Sequence, residues 1–153
     1  MSEEWNVIII SAVDDVHMPK QAHPTDAGYD VYANANYTIA PHWFCNVWVW
    51  VKVAMPINTV CLLLPRSSLF KNHWLILVNS VGVVDAWYRW EIGMQLLNLT
   101  DREVILEHWD KIWQLLFVDL DKNDRFFDYT AYNKFDETYP SDRWANWFWS
   151  TGK

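Results

Sequence analysis

Five short stretches hold the side chains that can do chemistry. The first is D-A-G-Y-D-V-Y-A, residues 26–33, where a turn marked by Pro24 and Gly28 feeds a strand with Asp26 and Asp30 near its mouth. Aspartates there either cap the turn or offer carboxylates to water or a cation. The second is P-R-S-S-L, residues 65–69, where an apolar strand stops at proline and Arg66, Ser67 and Ser68 open a helical turn. Backbone N–H groups, hydroxyls and a guanidinium together suit an anion, although an N-capped turn with a solvated arginine has the same spelling. The third, N-S-V-G-V-V-D-A-W-Y-R from Asn79 to Arg89, contains Gly82, Asp85 and Tyr88 between two apolar segments. A hairpin there would bring backbone amides to a planar ligand, with Asp85 and Tyr88 at its base. The fourth, D-K-I-W-Q-L at 110–115, carries a single amide, Gln114, into a strand. The fifth, in the tail, sets Arg143, Phe148, Ser150 and Thr151 near a glycine, as a lid over phosphates would.

The elements that must position these groups are short strands. Val7–Ser11, Tyr29–Ala33, Tyr37–Ile39, Phe44–Val53, Val60–Leu64, Leu75–Asn79, Glu91–Asn98, Val104–Leu106 and Ile112–Leu120 are the candidates. In the longest, Val47, Val49, Val51 and Val53 alternate with Trp48, Trp50 and Lys52, a period of two. A turn of helix is expected near Ser67–Asn72. Many short strands at close spacing mean an all-β sandwich, jelly roll or barrel. The 153 residues fit one domain, with a core at about 1–120. An acidic connection and a C-terminal arm at about 121–153, without either periodicity, would order on docking.

Composition removes several classes. The formal charge of −7 leaves no basic footprint for stable nucleic-acid binding, so a phosphorylated ligand must be held by a few local cations and a metal. No apolar run approaches the roughly 18 residues of a membrane span, and the acidic N-terminus does not read as an export leader. Cys45 and Cys61 lie in apolar runs without a C-x-x-C spacing, as buried thiols of a cytoplasmic protein would. Asp119, Asp121 and Asn123 imitate an EF-hand loop, but Asp124 and Thr130 stand where its glycine and glutamate belong. The five histidines have no zinc spacing.

In this order the five stretches resemble the motifs of the trimeric dUTPase (dUTP diphosphatase) family, from about His23 to Gly152. The resemblance implies a jelly-roll fold and a homotrimer whose sites are shared among three chains. It also implies hydrolysis of dUTP to dUMP and pyrophosphate, with magnesium (Mg2+) as cofactor. Asp85 matches the base that activates water, and Asp30 the carboxylate that holds the metal through water. Arg66, Ser67, Ser68 and Gln114 match phosphate contacts. Asn79 and Gly82 match the uracil-reading segment, and Tyr88 the ring that packs on deoxyribose. Arg143, Ser150 and Thr151 match the tail's grip on the γ-phosphate, and Phe148 the aromatic over the base. A catalytically impaired dUTPase-fold nucleotide binder is the alternative reading. A tryptophan-rich β-sandwich that stacks on sugars is a second one.

The chain departs from the family in one consistent way. It has 4 glycines and 12 tryptophans, where about eleven glycines would be usual. Trp43, Trp50, Trp74, Trp90, Trp109, Trp144, Trp147 and Trp149 stand where the family usually carries glycine, and Trp87 and Trp113 where it is small or acidic. Any of these positions that needs φ > 0 should be strained by an indole. Trp87 and Trp90 are expected to crowd the base pocket.

Overall fold

The computed structural model describes residues 17–120 and the backbone of Ile8–Ser11. The chain runs β1 (Ile8–Ser11), β2 (Tyr29–Tyr32), β3 (Tyr37–Ile39), β4 (Phe44–Trp48), β5 (Val51–Ala54), β6 (Thr59–Pro65), α1 (Leu69–His73), β7 (Leu75–Leu77), β8 (Gly82–Val84), β9 (Gly93–Asn98), β10 (Val104–Leu106) and β11 (Lys111–Asp119). The expected all-β class holds. A four-stranded sheet β2-β11-β6-β8, a three-stranded sheet β4-β9-β7 and the pairs β1-β5 and β10-β3 make up the fold, all antiparallel.

Alternation explains the core. Val47, Val49, Val51 and Val53 are all buried, as the period of two requires. Their segment is nevertheless two strands, β4 paired with β9 and β5 with β1. The break falls at Trp50, whose φ of 51° turns the chain between sheets. Ile39, Leu63, Leu96, Leu106, Ile112 and Leu115 close the interior, joined by Trp113 at 0% exposure. The Trp113 indole N–H has no hydrogen-bond partner there, which costs about 1–3 kcal/mol. Asn98 is a buried polar strut: its Nδ2 donates to the carbonyls of Ile39, Ala40 and Arg102 and so ties β9 to the β3 end and the β10 approach.

One expectation about topology is corrected. The Asn79–Glu91 segment is not a two-stranded hairpin. Its first arm, β8, pairs with β6, while β9 lies between β4 and β7. A crossover between two sheets therefore connects them, turning at Asp85–Tyr88, where Tyr88 N–H donates to Asp85 O at 3.0 Å. The helical turn also starts later than expected, with Ser68 as an N-cap whose side chain makes no capping bond.

Among the described residues no helix is long and apolar enough to cross a membrane. The expected arm, with Arg143, Phe148, Ser150 and Thr151, lies outside the described residues.

Candidate active site

Strand β11 is the central ladder of the four-stranded sheet, with β2 on one side and β6 on the other. Gln114 sits opposite Asp30 of β2 and Leu64 of β6, so the first and fourth motifs meet at one row of the sheet, one residue from the start of the second. The Gln114 Nε2 donates to Pro65 O at 3.2 Å. Its carboxamide oxygen lies so close to Gly28 that a Cβ there would collide with it. A side chain at 28 would therefore displace the Gln114 carboxamide, which bridges the first motif to the second.

Asp30 is the electrostatic centre. It is 7% exposed, and a carboxylate so enclosed needs compensating charge. Arg66 Nε meets its Oδ1 at 2.9 Å. Lys111 Nζ meets its Oδ2 at 3.3 Å, yet Oδ2 makes no hydrogen bond. The two facts agree if the lysine contact is electrostatic with poor hydrogen-bond alignment. Oδ2 is thus a buried acceptor without a hydrogen bond. Lys111 was not singled out from sequence, although it stands inside the fourth motif; only the register of β11 shows that it faces Asp30.

Ser67 is exposed and Ser68 half-buried in the turn after Arg66, where Leu69 N–H donates to Arg66 O at 3.0 Å. Arginine, two hydroxyls and a carboxamide beside a carboxylate are groups that could receive an anion. Mg2+ keeps most of its water and needs only one or two carboxylates plus ligand phosphates, so Asp30, whose buried Oδ2 lacks a hydrogen bond, is the residue that could hold it through water.

The third motif passes one residue from the Gln114 row at Gly82 and then runs away from it along β8. β8 pairs Gly82 with Leu63 and Val84 with Cys61, so Asp85 lies beyond Val84, level with Val60. Arg66 is six residues further along that strand, about 20 Å away at the rise of a strand. Asp85 is exposed. Gly82 is buried against Leu63 and Met94, where an added Cβ would come within 2.9 Å and 2.7 Å of their side chains. Tyr88 donates its hydroxyl to Glu91 O at 2.7 Å, and burial, then the Glu91 charge, pushes the phenol up. Asn79 is exposed and belongs to an open cavity of about 340 Å³, shared with Asn46, Trp48, Gly93, Met94 and Gln95. The structure thus brings Gly28, Asp30, Arg66 and Gln114 together, sets Gly82 in the same sheet one residue from the Gln114 row, and carries Asp85 toward the far end of β6.

The tryptophans divide into two groups. Trp50, Trp74 and Trp109 have φ of 51°, 57° and 74°, the conformation that favours glycine. Trp43 and Trp90 are not among the left-handed residues, and Trp144, Trp147 and Trp149 lie outside the described residues. Trp87 and Trp90 project outward at 66% and 62% exposure and meet edge to face at 86°.

The fold is thus an all-β assembly in which one sheet joins a carboxylate, two cations and a carboxamide. A family model described as dUTPase matches residues 14–143. The chain belongs to the dUTPase family, a family of dUTP diphosphatases. It is 33% identical over 154 residues to the deoxyuridine 5'-triphosphate nucleotidohydrolase of Corynebacterium glutamicum, covering 100% of this chain and 99% of that protein. Its likeness to the same-named protein of Corynebacterium jeikeium is 41% over 109 residues, 71% of this chain and 70% of the other. The solved dUTPase from Streptococcus mutans superposes with a TM-score of 0.71 at 30% identity, covering 79% of this chain and 100% of that one.

Proposed function

We propose that this chain hydrolyses dUTP to dUMP and pyrophosphate in sites shared by three copies. One observation carries the reading: Asp30, Arg66 and Gln114 form one cluster, while Asp85 lies at the other end of β6. A site that uses both needs Asp85 from another copy. Phosphoryl transfer asks for positioning and charge neutralisation more than covalent chemistry. Arg66, Ser67, Ser68 and Gln114 hold the phosphate oxygens. Asp30 would hold a hydrated Mg2+, which would supply charge neutralisation on the triphosphate.

Asp85 of a neighbouring copy accepts the proton of a water whose oxygen attacks the α-phosphorus. The bond from that phosphorus to the α–β bridging oxygen breaks, and pyrophosphate leaves with the electron pair. Asn79 and Gly82 read uracil, and Tyr88 packs on deoxyribose. Arg143, Phe148, Ser150 and Thr151 close the site from the tail. Acting on a free nucleotide pool, the enzyme belongs in the cytoplasm, with neither nucleic acid nor membrane as a stable partner.

The test is pyrophosphate release from dUTP by the parent and by Asp85→Asn. The variant should keep affinity for a non-hydrolysable analogue and lose about 10²–10⁴-fold in turnover. Unchanged turnover would remove Asp85 from the mechanism. The impaired-binder reading keeps one specific support, the left-handed tryptophans, and analogue binding without pyrophosphate release would favour it. The sugar-platform reading has an exposed stacked pair, Trp43 and Phe44 at 27°, but Trp87 and Trp90 stand nearly perpendicular, and it leaves the five polar motifs unexplained.

A further inference from the structure

We propose that Lys111 is a positioning residue for this reaction: it holds the Asp30 carboxylate in place when Arg66 turns to the phosphates. The inference rests on the reading of Asp30 and Arg66 given above, and on a register irregularity in β11. Gln114 opposes Asp30, and an unbroken antiparallel ladder would then set residue 111 opposite Ala33. Opposed residues share a face and neighbours alternate, so Lys111 would point to the side of the sheet away from Asp30. The register instead shifts between Lys111 and Trp113, and Lys111 opposes Tyr32. Tyr32 and Asp30 are two residues apart on β2 and share a face. One extra residue in β11 therefore moves the lysine onto Asp30's side. Its Nζ ends 3.3 Å from Asp30 Oδ2 and 5.8 Å from the centre of the Tyr32 ring.

Each oxygen of the Asp30 carboxylate has its own cation, Arg66 on Oδ1 and Lys111 on Oδ2, so one can leave while the other stays. Arg66 has the planar fork that grips phosphate oxygens, whereas Lys111 is a compact charge confined beside Tyr32. When Arg66 engages a triphosphate, Asp30 Oδ1 loses its partner, and Lys111 is the cation, among the described residues, still placed to fix the carboxylate that would hold the waters of Mg2+. Removing the lysine should then fasten Arg66 to Asp30 and keep it from the ligand.

The experiment measures affinity for a non-hydrolysable dUTP analogue with Mg2+, and for dUMP, in the full-length protein. Lys111→Gln should weaken the triphosphate about tenfold and leave dUMP unchanged, with Lys111→Arg restoring most of the loss. In an Asp30→Asn background, where no carboxylate needs holding, Lys111→Gln should have no further effect. That double variant also relieves the unpaired charge, so it is the folded control if Lys111→Gln alone melts early. An equal loss in the Asp30→Asn background would mean that Lys111 grips the ligand directly, and an equal loss for dUMP would mean a general structural role; either result overturns the proposal. If Asp30→Asn alone leaves triphosphate affinity untouched at every Mg2+ concentration, the reading of Asp30 itself falls, whatever Lys111 does.

Discussion

Trp74→Gly should stabilise the protein relative to Trp74→Ala by about 1 kcal/mol or more. Trp74 is the left-handed C-cap of α1, with φ 57° and ψ 29°, and its N–H donates to Phe70 O at 2.8 Å. Glycine favours that position because it has no Cβ to clash, and a side chain held there costs about 1–3 kcal/mol. The indole gives something back through an edge-to-face contact with Phe70, ring centres 5.2 Å apart. Both rings are nearly half exposed, at 48% and 47%, so that contact sits at the low end of about 0.5–1.5 kcal/mol. Glycine removes strain and contact together, for a net of about 0.5–2.5 kcal/mol in favour of folding. Alanine removes the contact and keeps the strain. Since 1 kcal/mol moves the melting temperature by about 2–4 °C in a chain of this size, a calorimetric comparison resolves the two. Equal melting of the glycine and alanine variants would refute the strain argument. Trp109 supplies the contrast. Its φ of 74° is the most strained of the three tryptophans, but its ring is stacked between His17 at 3.6 Å and His108 at 3.9 Å. Trp109→Gly should therefore lose stability where Trp74→Gly does not.

Light scattering should give three times the 18.2 kDa chain, and a monomer that still releases pyrophosphate would dismiss the shared site. Turnover should fall steeply from dUTP to dCTP and UTP, since cytosine leaves buried polar groups unpaired and a 2′-hydroxyl meets Tyr88; comparable rates would contradict the roles given to Asn79 and Tyr88. Native thiol labelling should modify the half-exposed Cys45 and spare the buried Cys61, so two fast-reacting thiols would contradict the packing. Burial pushes the Cys61 thiol up to about 12 from 9.0. The folded state thus holds that proton more tightly than the unfolded chain, and its stabilising effect, complete below pH 9, is lost as pH rises toward 12. The slope is about 1.4 kcal/mol per pH unit, and Cys61→Ala should flatten that part of an alkaline melt.

What was legible in the sequence was what depends on local order. Strand periods survive in burial: Val47 to Val53 alternate as read, even though a left-handed Trp50 cuts their segment in two. Motif composition names Asp30, Arg66 and Gln114, and the sheet row at Gln114 brings them together. Ladder partners are harder to read, because pairing is decided by residues far apart in the chain. The two apolar arms around Asp85 look like a hairpin from Asn79 to Glu91, yet each finds a better-buried neighbour in a different sheet. Lys111 was hidden for a related reason: an extra residue in a strand changes which side a side chain faces without changing the motif's spelling.

The tryptophans show the same limit from the other side. Family glycine positions fall into at least two physical kinds, those that need φ > 0 and those that do not. Position 74 ends a helix, 50 breaks a strand and 109 turns the chain into β11, and all three keep the left-handed backbone with an indole in place. A backbone that retains this geometry under such a side chain is specified by its surroundings rather than by the residue itself. At 109 the surroundings are visible: the backbone N–H donates to Ala33 O at 2.9 Å, and two imidazoles and Trp50 enclose the ring. Ala33 follows the strand that carries Asp30, and Trp109 precedes the lysine that faces it. The hydrogen bond that forces the strained turn thus also anchors the start of the strand that delivers Lys111 and Gln114 to the carboxylate.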